Sequence, residues 1–455
     1  MDDLLISLID KIQDRLEYVD IRYEKTIFTN ITIKDDEEKI TNGIESGIGI
    51  RTFNKGNWGF SSTNDISNIE EIAENAVKLA LHGRNKRKTH LAEAEVNRKV
   101  LFMKPKIDPR EIDISEKVDC LKMVIDTTKE FSEIVNSNAS YLDRFTERMF
   151  VNSENSFIKT SHFSVSLYTS VVARDGEKVQ VGTEKIGHTG GFELLKEENL
   201  KELGKRASKK AINMLYADHV SGGKYPIVMS GKLTGVFIHE ALGHACEADL
   251  VLQDNSVLKG RIGERIADDS VTIYDDPTLE NKFGSFYYDS EGVKARKTYV
   301  VKDGILKEFL HSRETAFLMQ REPNGKARSQ GYSHPPLVRM SNMCLEPKDW
   351  KFDEIIEETK FGIYVDGSRG GQVDTGSGIF QFNAEEAFLI EKGEIKQPLR
   401  DVSFSGNVLD TLKNIDAIGD TIEFSIGVCG KSGQGVPVGD GGPKTRLSSV
   451  LIGGR

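Results

Sequence analysis

Apolar residues recur at helical spacing at the start of the chain: Leu4, Leu5, Leu8, Ile9, Ile12 and Leu16, with charges between them. That repeat predicts an amphipathic helix over Met1 to Tyr18. The period then changes to two. Val19 to Phe28, Asn30 to Asp35, Glu45 to Phe53 and Gly56 to Ser62 alternate, punctuated by Gly43, Gly47 and Gly56 as in an antiparallel meander. Ser67 is placed to cap a helix through Ile69, Ile72, Ala73, Ala76 and Leu79, with Glu70 and Glu71 where the helix dipole favours them. Another helix is expected from about Ser115 to Phe131. Alternation returns from Ala139 to Gly182, with a hairpin at Asp175-Gly176, then a turn over Gly187 to Gly191 and a helix from about Glu198 to Leu215.

The pattern breaks at Ser221-Gly222-Gly223, which divides the chain into an N-terminal α+β domain, 1–220, and a β-rich domain, 221–455. The second opens with a buried strand, Tyr225 to Met229, and a helix directly after it. Leu258 to Ile266 and Val271 to Tyr274 follow, then a hairpin of Val293 to Val301 and Ile305 to Phe309 turned by Asp303-Gly304. Glu314 to Met319 is expected to be helical. Arg321 to Pro336 is a polar loop long enough to suggest a function. Strands are expected at Gly362 to Val365, Gly378 to Phe382, Ala387 to Glu391, Glu394 to Pro398 and Ile422 to Gly427, with a helix near Val408 to Lys413 and a Gly-rich loop over 427–435. The fold class is α+β, mainly antiparallel sheets with helices packed on them.

Composition narrows the function classes. A chain of 455 residues can hold two domains, and with 29% charged residues and no long apolar run it is not a membrane-spanning class. Met1-Asp2-Asp3-Leu4 lacks the positive region of a signal peptide, so a cytoplasmic protein is expected. A net charge of −10 counts against general nucleic-acid binding. The basic run Arg84 to Lys88 is the exception and is read as a solvated helix end. Cys120, Cys246, Cys344 and Cys429 are too scattered for a disulfide framework.

The chemistry concentrates in Gly235 to Glu247, which carries His239-Glu240 and His244 in an apolar setting. Zinc peptidases commonly place two histidines at i and i+4 on one helical face, with a glutamate after the first. Here the spacing is i, i+5, which sets the second ring roughly 140° around a regular α-helix. Both rings can reach one ion only if the helix widens, and Gly243 is the least costly place for a π-bulge. Hydrogen-bonded core histidines are the bland alternative. A third ligand is open among Glu247, Asp249 and Cys429. Cys246 falls roughly 200° round the helix from His244 and points away, and Cys344 reads as a small core residue. Glu240, beside a ligand, is placed as a general base, with a salt-bridged helix glutamate as its alternative. The glycine-rich run Gly367 to Gly378, with Gly371 and Gln372, lacks a phosphate-loop ending and is read as a loop that a backbone, such as an extended substrate, approaches closely.

His239-Glu240-x-x-x-His244, with Glu247 and Asp249 after it, resembles the TldD/PmbA family of zinc metallopeptidases, once called modulators of DNA gyrase, on its TldD side. Gly260 to Glu264, Asp303 to Lys307, Arg339 to Asn342, Gly370 to Asp374 and Val428 to Lys431 resemble TldD segments in the same order, and Gly47 to Arg51 and Trp58 to Phe60 also fit. Asn342-Met343-Cys344 departs from the family pattern. The resemblance implies Zn2+ held by His239, His244 and Cys429, with Glu240 as the catalytic base. Glu247, Gly371 and Gln372 stand as candidates to support the metal ligands or to bind substrate. It further implies a PmbA/TldE-type partner subunit, with a homodimer as the alternative, and unfolded or flexible peptides as substrates, bound as an added strand. A peptide-binding subunit with a structural metal, or another divalent ion serving a different hydrolysis, are the readings to be separated from it.

Overall fold

The computed structural model describes residues 1–35, 37–84 and 89–453; residues 85–88 of the basic run fall outside them. The N-terminal half is built on one sheet of seven strands: β1 (Tyr18–Lys34), β2 (Glu37–Asn54), β3 (Asn57–Thr63), β4 (Arg98–Phe102), β5 (Ile134–Asn152), β6 (Phe157–Asp175) and β7 (Lys178–His188). The order is β3-β2-β1-β5-β6-β4, with β7 also on β6, and only the short β4–β6 pair is parallel. The two runs expected at 19–28 and 30–35 are one strand. Thr29 and Asn30 interrupt the apolar pattern, but their backbones pair with β2 and β5 in unbroken register. Pairing is a property of the backbone, so a polar side chain facing solvent does not end a strand.

Helices α1 (Asp2–Ile12), α2 (Ile69–His82), α3 (Ile114–Thr128), α4 (Glu193–Glu197) and α5 (Leu200–Tyr216) belong to this half. α1 and α2 bury Leu5, Leu8, Ala73 and Ala76 against Val19 and Ile21 of β1. α3 meets the same strand further along, at Ile31 and Ile33. Ser67 does not cap α2. It lies in a short 3-10 turn capped by Asp65, whose carboxylate accepts from the Ser67 N–H, and Asn68 precedes the helix.

The C-terminal half contributes β8 (Asp218–His219), β9 (Gly223–Met229), β10 (Ile273–Asp275), β11 (Thr298–Lys302), β12 (Ile305–Leu306), β13 (Ala327–Arg328), β14 (Leu337–Val338) and β15 (Met343–Leu345). It continues through β16 (Phe361–Asp374), β17 (Ile379–Glu391), β18 (Glu394–Arg400), β19 (Ser403–Asn407), β20 (Ile415–Ile418), β21 (Glu423–Lys431), β22 (Gln434–Gly442) and β23 (Thr445–Gly453). One sheet runs β12-β11-β10-β15-β22-β21. Another runs β16-β9-β23-β19-β17-β18-β8, and pairing of β16 with β17 closes five of its strands into a ring. Helix α6 (Gly231–Ile238) packs Phe237 on Phe380 and Phe382, and the same core takes in Phe404. α7 (Ala248–Leu252), α8 (Arg313–Met319), α9 (Phe352–Glu358) and α10 (Val408–Lys413) complete the set.

Glycine hid several strands from the sequence pattern. The stretch 367–378, expected as a loop, is mostly β16, which runs to Asp374 through a bulge between Ser368 and Gly371. The tail expected as a loop over 427–435 is the β21–β22 hairpin, followed by β23. Glycine weakens strand propensity, yet it is what a strand needs where another backbone comes close. In the other direction, 258–266 is turn rather than strand, and the hairpin at Asp303-Gly304 is shorter than its apolar pattern. The loop 321–336 is ordered by contact. Tyr332 lies so close over Gly47 that a Cβ there would meet its ring at 2.2 Å.

Candidate metal centre

Helix α6 starts at Ser230, whose hydroxyl accepts from the Leu233 N–H. Leu233, Phe237 and Ile238 bury its inner face, while Lys232 and Val236 turn toward the cleft. At its end the backbone widens into a π-turn over His239–Gly243, and the His244 N–H reaches back five residues to the His239 carbonyl. This absorbs the extra residue of the i, i+5 spacing. Gly243 serves it by size rather than by backbone freedom: its φ and ψ are ordinary helical values of −58° and −48°. A Cβ at 243 would sit 2.0 Å from Met340 Sδ.

The two rings then meet edge to face, with centroids 5.2 Å apart and planes at 87°. Cys429 on β21 comes to 3.5 Å from His244 Nε2, and the nitrogens and sulfur of His239, His244 and Cys429 all lie within 4.8 Å of one another. Each ring is oriented by a carboxylate at its other nitrogen. His239 Nδ1 is 2.7 Å from Asp440 Oδ1, and His244 Nδ1 is 3.1 Å from Glu247 Oε2. Such carboxylate–histidine pairs fix the tautomer and leave Nε2 for a metal.

Glu247 is fully buried and also accepts from Lys431 Nζ at 3.0 Å, while its Oε1 has no hydrogen-bond partner among the described residues. Lys431 further binds both oxygens of Asp249, at 2.7 and 2.8 Å. Glu247 and Asp249 are thus engaged beside His244 and outside the three-atom cluster. Cys246 and Cys344 are buried apart from it in the core.

The electrostatics follow from burial and pairing. Burial pushes the Cys429 thiol up, but hydrogen bonds with His239 and His244 outweigh it and bring it down to about 5. Burial lowers His244, yet Glu247 and Cys429 raise it to about 9, and Asp440 with Cys429 holds His239 well above its ordinary value. A lowered thiol pKa favours the thiolate, the form in which cysteine binds metal.

Glu240 is partly exposed, with Oε2 3.9 Å from His244 Nε2. It lines a cleft of about 860 Å³ together with His239, Cys429 and Asp440. The cleft runs between β7, on an edge of the first sheet, and β21, on an edge of the six-stranded sheet. From β16 it is lined by residues 366–370; Gly371 and Gln372 are not among its walls. Asp440 and Lys431 were not legible as site residues by spacing. Asp440 lies 201 positions from the histidine it holds, with no local motif of its own.

Two imidazoles and a thiol, converging beside Glu240, form a donor set suited to zinc. The chain belongs to the PmbA/TldD family of metallopeptidases. Residues 222–454 match the PmbA/TldA metallopeptidase C-terminal domain, 107–215 its central domain and 19–80 its domain 1. A metalloprotease of Methanothermobacter thermautotrophicus is 45% identical over 99% of both chains. The zinc metalloprotease TldD homolog of Saccharolobus solfataricus is 32% identical over 96% of each. The fold is also that of TldE from Thermococcus kodakarensis, with a TM-score of 0.83 at 19% identity over 98% of this chain and 99% of that one. A Thermotoga maritima protein described as a modulator of a DNA gyrase gives 0.82 at 23%, over 99% of both. Among the described residues, no helix is long and apolar enough to cross a membrane.

Proposed function

We propose that this chain is a zinc-dependent peptidase that hydrolyses flexible peptides bound in extended form. The observation that carries the reading is the convergence of His239, His244 and Cys429, with His239, Cys429 and the neighbouring Glu240 on the wall of the cleft. These three residues would hold the ion, whose chemistry is to acidify water and polarise a carbonyl. Glu240 takes the proton of the attacking water and passes it to the leaving amine. Asp440 and Glu247 keep the rings aimed inward. The outer edge of β21, over Phe424 to Val428, lines the cleft, and an extended peptide can add to it by main-chain hydrogen bonds. Such binding excludes folded chains and tolerates varied side chains. Zinc is favoured by the donor set and by the name of the Saccharolobus relative. The partner is a TldE-type paralogue, and activity is assayed with and without it.

Glu240→Gln separates catalysis from a purely structural metal. The variant is expected to retain zinc at wild-type stoichiometry and lose about 10²- to 10⁴-fold in kcat on an unstructured peptide. Unchanged turnover would remove Glu240 from the mechanism. Zinc retention with no peptide cleavage in the parent, alone or with the paralogue, would favour a non-catalytic peptide-binding subunit.

A further inference from the structure

Beyond the metal cleft lies a second cavity of about 330 Å³, between the face of the first sheet that carries His162 and the β21–β22 hairpin. Val428, next to Cys429 on β21, lines both cavities. We propose that this second cavity is a subsite for a carboxylate of the bound peptide, an inference that rests on the peptidase reading above.

Its walls carry a positive charge that the fold leaves poorly balanced. Arg328 is 8% exposed, and its two terminal nitrogens donate to the carbonyls of Met340 and Pro437, at 2.6 and 2.8 Å. Among the described residues it has no carboxylate within ion-pairing distance. Its nearest compensation is indirect: the Phe286 ring 5.0 Å from Arg328 Cζ, and the more distant charges of Asp275 and Cys429. A buried guanidinium with no directly paired carboxylate leaves a place for an anion. Arg144 lies exposed on the same wall, and Arg148 is there too, bonded to Glu24 at 2.8 Å.

The acidic residues lining the cavity are Glu24 and Asp289. Glu24 is engaged by Arg148. Asp289 accepts three backbone N–H groups, from Glu291, Val293 and Ala327. Burial and the neighbouring Glu291 also push its carboxyl up to about 7, which weakens it as a counter-ion. Burial, then the charges of Arg148 and Arg328, hold His162 down to about 3. Ser164, Ser166 and Ser290 add hydroxyl donors on the walls. Guanidinium and hydroxyl groups in a partly closed cavity match a carboxylate. A peptide lying at the metal reaches it by passing Val428. The carboxylate is either the free C-terminus or an Asp or Glu side chain.

The test uses the zinc-loaded full chain, co-purified with its paralogue and carrying Glu240→Gln so that bound peptide is not turned over. Fluorescence anisotropy compares three versions of one unstructured peptide: free C-terminus without acidic side chains, the same peptide amidated, and the amidated peptide with one Asp or Glu near its end. At least one carboxylate form is expected to bind about tenfold more tightly than the neutral amide. Whether the free C-terminus or the acidic side chain confers it identifies the source. Arg328→Gln is expected to abolish that ratio. Because loss of a buried guanidinium also disturbs folding, Arg144→Gln on the exposed wall serves as a second probe and is expected to reduce the ratio severalfold. In the Glu240 parent the same preference should appear in KM with kcat unchanged. Equal binding of all three peptides, with cleavage intact, overturns the subsite and leaves the peptidase reading standing. Absence of both binding and cleavage overturns the two together.

Discussion

At the scale of single residues, the site depends on the second nitrogen of each histidine. Asp440 is 5% exposed and holds His239 Nδ1 at 2.7 Å. Asp440→Asn can keep the hydrogen bond but loses the charge that raises the basicity of the ring. Zinc affinity, measured by competition with a chromophoric chelator, is expected to fall about 10- to 100-fold in this variant. A second residue-scale effect lies away from the site. His311 is 1% exposed, with Nδ1 on Thr315, and burial pushes its pKa down from 6.5 to about 4. The folded protein keeps this ring neutral where the unfolded chain already binds a proton. Stability is therefore lost as pH falls from about 6.5 through about 4, by about 3 kcal/mol at most. Urea midpoints at pH 7 and pH 4.5 check this, and His311→Gln is expected to show a smaller drop than the parent.

At the scale of elements, two glycines let α6 and its π-turn sit where they do. At Gly235 a Cβ would lie 2.6 Å from the Asp440 carbonyl carbon, so the helix rests on the backbone of β22 and brings Asp440 to His239. At Gly243 the obstacle is Met340. Gly243→Ala is expected to destabilise by about 1–3 kcal/mol through overpacking. Met340→Ala in the same chain should recover part of that loss, and thermal unfolding of the single and double variants measures it. The i, i+5 histidines were legible as a metal motif with one residue too many, and the need for a widened turn followed from 3.6 residues per turn. The role of Gly243 was not legible, because it depends on a methionine almost a hundred positions away. The same reason hid the tail. Gly427, Gly430, Gly433 and Gly435 read locally as loop, but β22 supplies the pairing that makes residues 423–431 a strand.

At the scale of the whole molecule, the first sheet is fastened to the C-terminal half by largely buried charge. Arg51 on β2 binds Asp20 at 2.6 Å and reaches Glu291 at 2.9 Å, while Glu291 also accepts the Arg313 N–H at 2.7 Å. Arg313 in turn forms two bonds of 2.7 Å to Glu154. Breaking one member leaves another charge buried and short of a partner. Glu291→Gln is expected to cost about 3 kcal/mol in urea unfolding.

What the sequence determined by itself was local. Apolar period placed α1, α3, α5, α10 and many strands, because a helix or a half-buried strand writes its buried face into neighbouring residues. It also marked His239, Glu240 and His244, which lie within one turn-and-a-half of chain. Tertiary structure alone decided what those residues meet. Cys429 and Lys431 arrive on an edge strand and Asp440 on the strand beside it, each more than 180 positions from its partner in the site. Pairing at that separation depends on the register of whole sheets, and no short window of sequence carries it.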